Sequence, residues 1–162
     1  MNERLRCHIT VAAVIEDQGR FLFVEEEDAG LRVLNQPAGH LDPDEDLIAA
    51  VRREVREETT LEFTPQHSLG CDLLRLADGA VILRVAFTGT VSQPVQPIRR
   101  DPAILATHWL EAATALNDHP LRSPLVARSL RRWESGLRLP LESAGELVDN
   151  LPPAAAHSVG HS

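Results

Sequence analysis

The chain has 162 residues, 43% of them hydrophobic and 25% charged, and its formal net charge is -8. This length suits one domain with a sizeable core, and the acidic balance argues against a protein that binds nucleic-acid polymers through their phosphates. Two cysteines are too few for a disulfide framework, and no apolar run reaches the roughly 18 residues of a membrane span, so we expect a soluble cytoplasmic protein without a membrane partner.

The N-terminal part of the chain is predicted to consist of strands. The apolar segment 8–15 is typical of a buried strand, and the turn signal at 17–19 leads into an alternating strand over 20–25. A further short strand is expected over 31–36. We interpret the acidic run 25–27 as a solvated strand end and loop.

The segment 35–40 leads from these strands to a helix and carries groups suited to a binding site. Asn35, Gln36 and His40 bring polar side chains near the carboxylates of the helix, and Gly39 helps to set the loop backbone. His40 either contacts a substrate phosphate or is structural. We predict that these four residues bind the substrate.

A helix is predicted from Asp42 to about Thr59. Asp42 can act as the N-cap, Pro43 fits the first helical position, and Glu45 stands where it can close a capping box. Apolar residues then recur at spacings of three and four and form one buried stripe, made of Leu47, Ile48, Val51 and Val55.

Three glutamates lie on one face of this helix. Glu54, Glu57 and Glu58 stand at i, i+3 and i+4, and Glu58 points into the apolar stripe. Carboxylates this close repel one another, and burial adds a desolvation cost. A bound Mg²⁺ or Mn²⁺ would relieve both, because hard cations take carboxylate oxygens and keep positions open for substrate phosphates. The alternative is a solvated charged face paired with the arginines of the same helix.

The spacing of Gly39, Glu45 and the segment 53–58 resembles the Nudix box, a motif so long that a chance match is rare. The resemblance implies an α/β/α sandwich with a mixed β-sheet between helices, which is fold class α/β. It also implies a phosphohydrolase in which Mg²⁺, or Mn²⁺ in its place, assists the attack of water on a phosphoric anhydride of a small substrate.

By the same resemblance, the metal is bound by the three helix glutamates and by a backbone carbonyl near Ala38. The resemblance also implies that Glu54 orients or deprotonates the water, and that Glu45 and Arg53 form an ion pair that fixes the loop to the helix. Thr60 departs from the family pattern, which has glycine there. A β-branched residue in a left-handed cap costs about 1–2 kcal/mol, so we expect the helix to end differently.

The rest of the chain is predicted to alternate between strands and helices. Strands are expected over 61–63, 69–76, 80–91 and 105–110, and helices over 111–116 and 121–134. This order suits a mixed sheet that helices cover on both faces. The domain should span 1–145 and be followed by a flexible tail over 146–162, disordered from Asn150 onward. The protein is expected to be a monomer or a homodimer.

The segments 35–41, 121–127 and 135–142 resemble a group of bacterial phosphatases within the family. This implies hydrolysis of hydroxymethylpyrimidine diphosphate and thiamine diphosphate to monophosphates, and release of phosphate from nucleoside di- and triphosphates. Leu34 stands where those phosphatases have an aromatic residue, and substrate preference would change if that residue stacks on a base. The alternatives are a pyrophosphatase for ADP-ribose or nucleoside triphosphates, a non-catalytic nucleotide-binding module, and a purely structural acidic helix.

Overall fold

The computed structural model describes residues 4–94 and 96–149. Over these residues the chain forms eight strands and three α-helices, followed by a short 3₁₀ helix at Leu141–Ala144. In chain order the elements are β1 (Cys7–Val14), β2 (Glu16–Asp17), β3 (Arg20–Asp28), β4 (Leu31–Asn35), β5 (Ala38–His40), α1 (Leu47–Thr59), β6 (Glu62–Arg75), β7 (Val81–Ser92), β8 (Ile104–Leu110), α2 (Ala112–Asp118) and α3 (Pro124–Glu134).

Two sheets form the centre of the molecule. The first has the strand order β5-β1-β7-β6, in which β1 runs parallel to β7 and the other neighbours are antiparallel. The second is built on β3, which pairs antiparallel with β2, β4 and β8. Because β5 lies at the end of the first sheet, the segment that leads into α1 forms an edge of that sheet.

The helices α1 and α3 cover opposite faces of the first sheet. Side chains alternate between the two faces along β1. Val11 packs with Val51 and Val55 of α1 in one core cluster, whereas Val14 packs with Val126 of α3 in the other. The predicted α/β class, with a mixed sheet between helices, is therefore confirmed.

The helix α1 begins later than predicted. Asp46 is the N-cap, and its carboxylate accepts a hydrogen bond from the N–H three residues further on. Asp44 has a φ of 66°, which interrupts the helical path. The N–H of Asp42 donates to Glu45 at 2.9 Å within this turn. The prediction of Asp42 as N-cap and Pro43 as first helical residue was wrong, because the capping pattern here closes a turn instead of a helix.

The end of α1 also differs from the expectation. Thr60 adopts the left-handed conformation, with φ 65° and ψ 9°, and its N–H donates to the carbonyl of Arg56. The preceding Thr59 is buried, and its hydroxyl donates to the carbonyl of Val55 at 2.6 Å, which holds the last turn in place. The expectation of a different helix end was wrong, because this anchoring keeps the usual left-handed cap despite the β-branched side chain.

Two strands differ from the sequence-based expectation. The segment 38–40, predicted as loop, is the edge strand β5, with His40 opposite Thr10 of β1. The two pieces predicted over 61–63 and 69–76 are one strand, β6, whose register shifts near Pro65. Because proline cannot donate to a sheet ladder, it is typical of a strand break. A local bulge lets this strand continue past it.

The C-terminal segment is tied to β6. Ser68 and Leu139 exchange backbone hydrogen bonds of 3.0 and 2.9 Å. The segment 145–149 forms neither helix nor strand, and the disorder expected from Asn150 onward falls outside the described residues. In the part of the chain that the structure describes, no helix has the length and apolar character needed to span a bilayer.

Candidate active site

The second half of α1 places three carboxyl groups near β5. Glu54 and Glu58 are buried, with exposed fractions of 9% and 7%, while the side chain of Glu57 is 52% exposed. Residues four apart on a helix share a face, so the two buried glutamates follow from the same periodicity as the apolar stripe. The inward direction predicted for Glu58 is confirmed.

Glu58 is held against the backbone of β5. Its Oε2 accepts a hydrogen bond from the N–H of Ala38 at 3.0 Å. Burial raises the pKa of Glu58 to about 9; the hydrogen bond from Ala38 opposes the rise, and the negative charges of Glu54, Glu26 and Asp101 add to it. The protonated form of this carboxyl group is therefore favoured in the absence of a cation.

The carboxyl group of Glu54 lies directly against Gly39. A Cβ atom on residue 39 would overlap the carboxyl atoms of Glu54, so only glycine permits this contact. Arg53 Nη1 donates to Glu54 Oε1 at 2.7 Å. Burial raises the pKa of Glu54, and the hydrogen bond from Arg53 opposes the rise. The backbone of β5 and the buried carboxyl group of Glu54 are thus in direct contact.

Arg53 connects the helix to the preceding turn. Its Nε and Nη2 donate to the Glu45 carboxylate at 3.0 and 2.7 Å, and Nη2 also donates to the carbonyl of His40 at 3.0 Å. The hydrogen bond between the two side chains lowers the pKa of Glu45 and raises that of Arg53. The pair between Glu45 and Arg53 is present in the structure, and its role in catalysis stays a prediction.

The carboxyl groups of α1 fit a hard divalent cation by their chemistry. Within 4–94 and 96–149, no three His, Cys, Asp or Glu side chains are already gathered into a metal site, so the glutamates would turn toward a shared ion. Buried carboxyl groups that repel each other, with oxygen as their donor atom, are what such an ion stabilises. The groups that could hold it are Glu54, Glu57, Glu58 and a backbone carbonyl near Ala38.

A cavity of about 660 Å³ lies on the face of the first sheet that α3 covers. All three residues of β5 line it, together with His8 and Thr10 of β1. Its apolar wall is formed by Leu74, Leu76, Ile82 and Leu125, and its other polar groups are Glu26, Asn35, Arg84, Arg122 and Ser123. None of the three α1 glutamates lines the cavity, and β5 lies between them and it, because its residues line the cavity and contact Glu54 and Glu58.

The residues predicted to bind substrate divide into two groups. Asn35, Gly39 and His40 line the cavity, whereas Gln36 is only 1% exposed. Gln36 Nε2 donates to a carbonyl of α3 at 2.9 Å, and its Oε1 accepts from Arg84 at 2.7 Å. The amide of Gln36 is therefore engaged within the protein. Substrate contact stays a prediction for all four, and Gln36 is placed to support the cavity from behind its lining.

Sequence reasoning missed two charged residues that lie near the site. Arg84 of β7 is 5% exposed and lines the cavity; the signal that could have found it is a single charge within the apolar run 81–87. Asp101 is brought close by its N–H, which donates to the carbonyl of Glu57 at 2.8 Å. No pattern in the neighbouring sequence predicts this contact between Asp101 and α1.

The acidic run 25–27 also contributes to the site. Glu26 accepts from Asn35 Nδ2 at 3.3 Å, lines the cavity and is 22% exposed at its side chain. Glu25 lies 2.8 Å from His108 Nε2. The interpretation of the whole run as solvated was wrong, because β3 continues to Asp28 and is paired on both edges.

Leu34 does not line the cavity. It is 1% exposed and packs in the core cluster beneath α3. Its N–H donates to the carbonyl of Pro120 at 2.8 Å, and its carbonyl accepts from the N–H of Arg122 at 2.9 Å. The hypothesis that leucine at this position changes base stacking is therefore wrong for this protein, since the side chain faces the core.

Known proteins resemble the chain over most of its length. The NUDIX domain family model matches residues 6–132. Phosphatase NudJ of Escherichia coli K12 is 43% identical over 141 residues, which cover 86% of this chain and 91% of that protein. A NUDIX hydrolase from Nitrosomonas europaea has a TM-score of 0.79 at 35% identity, covering 85% of this chain and 95% of that one. The MutT protein of Methanosarcina mazei has a TM-score of 0.67 at 21% identity, covering 85% and 100% of the two chains, which shows a shared fold alone.

Proposed function

The chain belongs to the NUDIX family of hydrolases, and from this premise we propose that it is a divalent-cation-dependent phosphatase of small organic diphosphates and triphosphates. It removes the terminal phosphate as inorganic phosphate. Its proposed substrates are hydroxymethylpyrimidine diphosphate, thiamine diphosphate and nucleoside di- and triphosphates. The 43% identity to phosphatase NudJ supports this reaction class.

The observation that carries the proposal is a pair of buried carboxyl groups beside a cavity. Glu54 and Glu58 are withdrawn from water by their contacts with β5, and burial of two like charges is unfavourable unless a cation compensates them. Ala38 and Gly39 belong both to these contacts and to the cavity lining. A phosphorylated substrate in the cavity would therefore present its phosphates next to the carboxyl groups.

The residues of α1 have separate roles in the proposed reaction. When bound to the glutamates, Mg²⁺ supplies positive charge to the phosphate oxygens and makes a water molecule more acidic. Glu54 accepts the proton of the attacking water, because the hydrogen bond from Arg53 fixes the position of this carboxylate. Glu45 holds Arg53 from the opposite side. Most of the catalytic effect is then positioning and charge compensation.

The cavity sets the size and character of the organic group. A volume of about 660 Å³ lies in the range of small-molecule sites. Apolar side chains form one wall, and the exposed His8 and His40 rings, which also line the cavity, meet edge-to-face with centroids 6.0 Å apart. A planar heterocycle can pack between the imidazoles and the apolar wall.

A panel of phosphorylated compounds tests the proposal. The purified protein is incubated with Mg²⁺ and thiamine diphosphate, hydroxymethylpyrimidine diphosphate, nucleoside di- and triphosphates, or ADP-ribose. Inorganic phosphate and pyrophosphate are then scored separately. We expect inorganic phosphate from the first three groups. Glu57→Gln and Glu58→Gln should abolish most of it while circular dichroism shows an intact fold, and Glu134→Gln, at an exposed position, is the matched control.

Other outcomes would redirect the proposal. Release of pyrophosphate, or cleavage of ADP-ribose in preference to the diphosphates, would indicate a nucleotide pyrophosphatase. Nucleotide binding without turnover in Mg²⁺ or Mn²⁺ would indicate a non-catalytic module. Unchanged turnover in both Gln variants would remove the glutamates from the mechanism.

A further inference from the structure

Arg84 is a buried guanidinium that faces the cavity without an acidic partner. It lies in β7, is 5% exposed and lines the cavity. Its terminal nitrogens donate only to amide oxygens, at 2.7 Å to Gln36 Oε1 and at 3.3 Å to Asn35 Oδ1. Its Nε is buried and has no hydrogen-bond partner in the described part of the chain.

The charge on Arg84 is not neutralised locally. Among the described residues, no carboxylate lies within ion-pair distance of it; Glu58, Glu26 and Asp72 act on it only through longer-range attraction. Burial lowers the pKa of Arg84 to about 10, so it remains charged at neutral pH. A buried charge that lacks a counterion is unfavourable in the folded state, and an anion in the cavity would supply the missing partner.

Hydrogen bonds to its surroundings hold the Arg84 guanidinium in a fixed orientation. Asn35 is oriented by its Nδ2, which donates to Glu26, and Gln36 is oriented by its Nε2, which donates to the carbonyl of Val126. Both amide oxygens are therefore directed at Arg84. A donor that is fixed before binding loses little freedom when the ligand arrives.

The N-terminus of α3 also lines the cavity. Ser123, the N-cap, and Pro124 and Leu125 in the first turn line the cavity with Arg84. The N-terminal end of a helix carries partial positive charge and favours anions. Arg122 lies at the same place, but it is already paired with Glu26 and Asp28. Of the two arginines in the described cavity lining, Arg84 is thus the one without an ion pair.

Building on the proposed function, we infer that Arg84 binds the phosphate that stays on the organic group, while the carboxyl groups of α1 serve the phosphate that is released. The geometry of β5 supports this division. Its residues Ala38 and Gly39 contact the α1 glutamates and also line the cavity that contains Arg84. A phosphate attached to a group in the cavity is therefore next to Arg84, and the phosphate beyond it is next to α1.

The first test uses the unaltered protein without metal. Thiamine monophosphate is titrated into ¹⁵N-labelled protein in EDTA, and the arginine Nε–H resonances are followed by NMR. The resonance of Arg84 is assigned by its absence from Arg84→Lys. We expect it to move downfield and saturate, because its Nε gains an acceptor. The inference would be overturned if the Arg84 resonance did not move while other resonances showed saturation with thiamine monophosphate. It would also be overturned if the protein did not bind this compound at all.

The second test separates substrate contact from a structural role. Arg84→Met should raise KM for thiamine diphosphate roughly 30-fold or more, as expected when one partner of a buried charged pair is lost. Its thermal stability should stay near that of the parent, because removal of an unpaired buried charge offsets the loss of the hydrogen bonds to Asn35 and Gln36. Arg84→Lys should recover part of the affinity. Arg32→Met, which removes an exposed arginine outside the cavity, is the matched control.

A lowered melting temperature with an unchanged KM would show that Arg84 is structural. If Arg84→Met does not fold, the NMR titration of the unaltered protein still decides. The titration measures binding without turnover, so a protein that hydrolyses nothing can still confirm the anion site. Conversely, if hydrolysis were normal but the Arg84 resonance did not move, the anion site would be refuted and the proposed function would remain intact.

Discussion

At the scale of single residues, Gly39 determines how closely α1 approaches β5. The carboxyl group of Glu54 occupies the space that a Cβ atom would need. We expect Gly39→Ala to lower the free energy of unfolding by about 2 kcal/mol, as for other overpacked sites. It should also lower kcat, because the added methyl group displaces Glu54. Urea unfolding and phosphate release measure the two effects.

A double-mutant cycle identifies the cause of that loss. Glu54→Ala removes the carboxyl group that the new Cβ would meet, so Gly39→Ala should cost little in this background. The coupling free energy should then be about 2 kcal/mol. Equal losses in both backgrounds would mean that β5 itself rejects the methyl group, and the contact with Glu54 would lose its explanatory role.

The predictability of single residues depends on whether their position follows from local geometry. The inward direction of Glu58 follows from the helical period, which is a property of the residues around it. Arg84 contacts Asn35, 49 residues away in sequence, and it is positioned by the pairing of β7 with β1, in which Thr10 lies opposite Arg84. The lone charge in the apolar run 81–87 marks Arg84 as unusual, but strand pairing over this distance leaves no local pattern that would show which residues it meets.

At the scale of secondary-structure elements, the C-terminal cap of α1 is strained. Thr60 adopts φ 65°, which costs a β-branched residue more than glycine. After allowing for the greater freedom of glycine in the unfolded chain, Thr60→Gly should stabilise the protein by about 1 kcal/mol. The melting temperature should rise by roughly 2–4 °C. An equal gain from Thr60→Ala, which keeps the Cβ atom, would contradict this explanation.

Asp72 of β6 forms ion pairs with Arg128 and Arg132 of α3, and we call these three residues the Asp72 brace. Asp72 accepts from Arg128 at 2.6 and 2.9 Å and from Arg132 at 2.9 and 3.2 Å. Burial alone would raise the pKa of Asp72, but these hydrogen bonds lower it below its ordinary value. Asp72→Asn should therefore reduce the free energy of unfolding by about 1–3 kcal/mol at neutral pH. Urea unfolding measures the loss.

The brace also predicts a pH dependence. Because the folded-state pKa of Asp72 is depressed, its contribution is present above the unfolded-state pKa and is lost as pH falls through the folded-state pKa. The difference between parent and Asp72→Asn should therefore shrink below about pH 4. A difference independent of pH would contradict the brace. Asp78→Asn, which alters an exposed pair with Arg6, should change stability little.

Helix and strand interiors were predictable, whereas their ends were less so. The apolar stripe of α1 identified the helix, because burial imposes its period on the sequence. Its start was misplaced because Asp44 takes φ 66°, and the resulting turn uses the same residue types as a capping box. The segment 38–40 became a strand only through its pairing with β1. Ends and edge strands depend on tertiary partners, which local propensity does not contain.

At the scale of the whole molecule, the first sheet separates two kinds of binding chemistry. On one face, α1 brings buried carboxyl groups that suit a cation; on the other, the cavity beside α3 offers Arg84 and an apolar wall. The two meet at the strand β5, since its residues contact the glutamates and line the cavity. A phosphorylated substrate that spans this edge would use both faces together.

The same arrangement predicts that Glu58 lowers the stability of the metal-free protein, although the proposed cation binding requires it. Without a cation, Glu58 is buried among the charges of Glu54, Glu26 and Asp101. Glu58→Gln should therefore leave the metal-free protein at least as stable as the parent, since Gln can still accept from Ala38. Mn²⁺ at 100 times its Kd should stabilise the parent by about 2.7 kcal/mol and the variant by much less. Thermal unfolding with Mn²⁺ or EDTA measures both, with Glu134→Gln as control. If Glu58→Gln were less stable than the parent and were still stabilised by Mn²⁺ to the same extent, the cation would bind elsewhere.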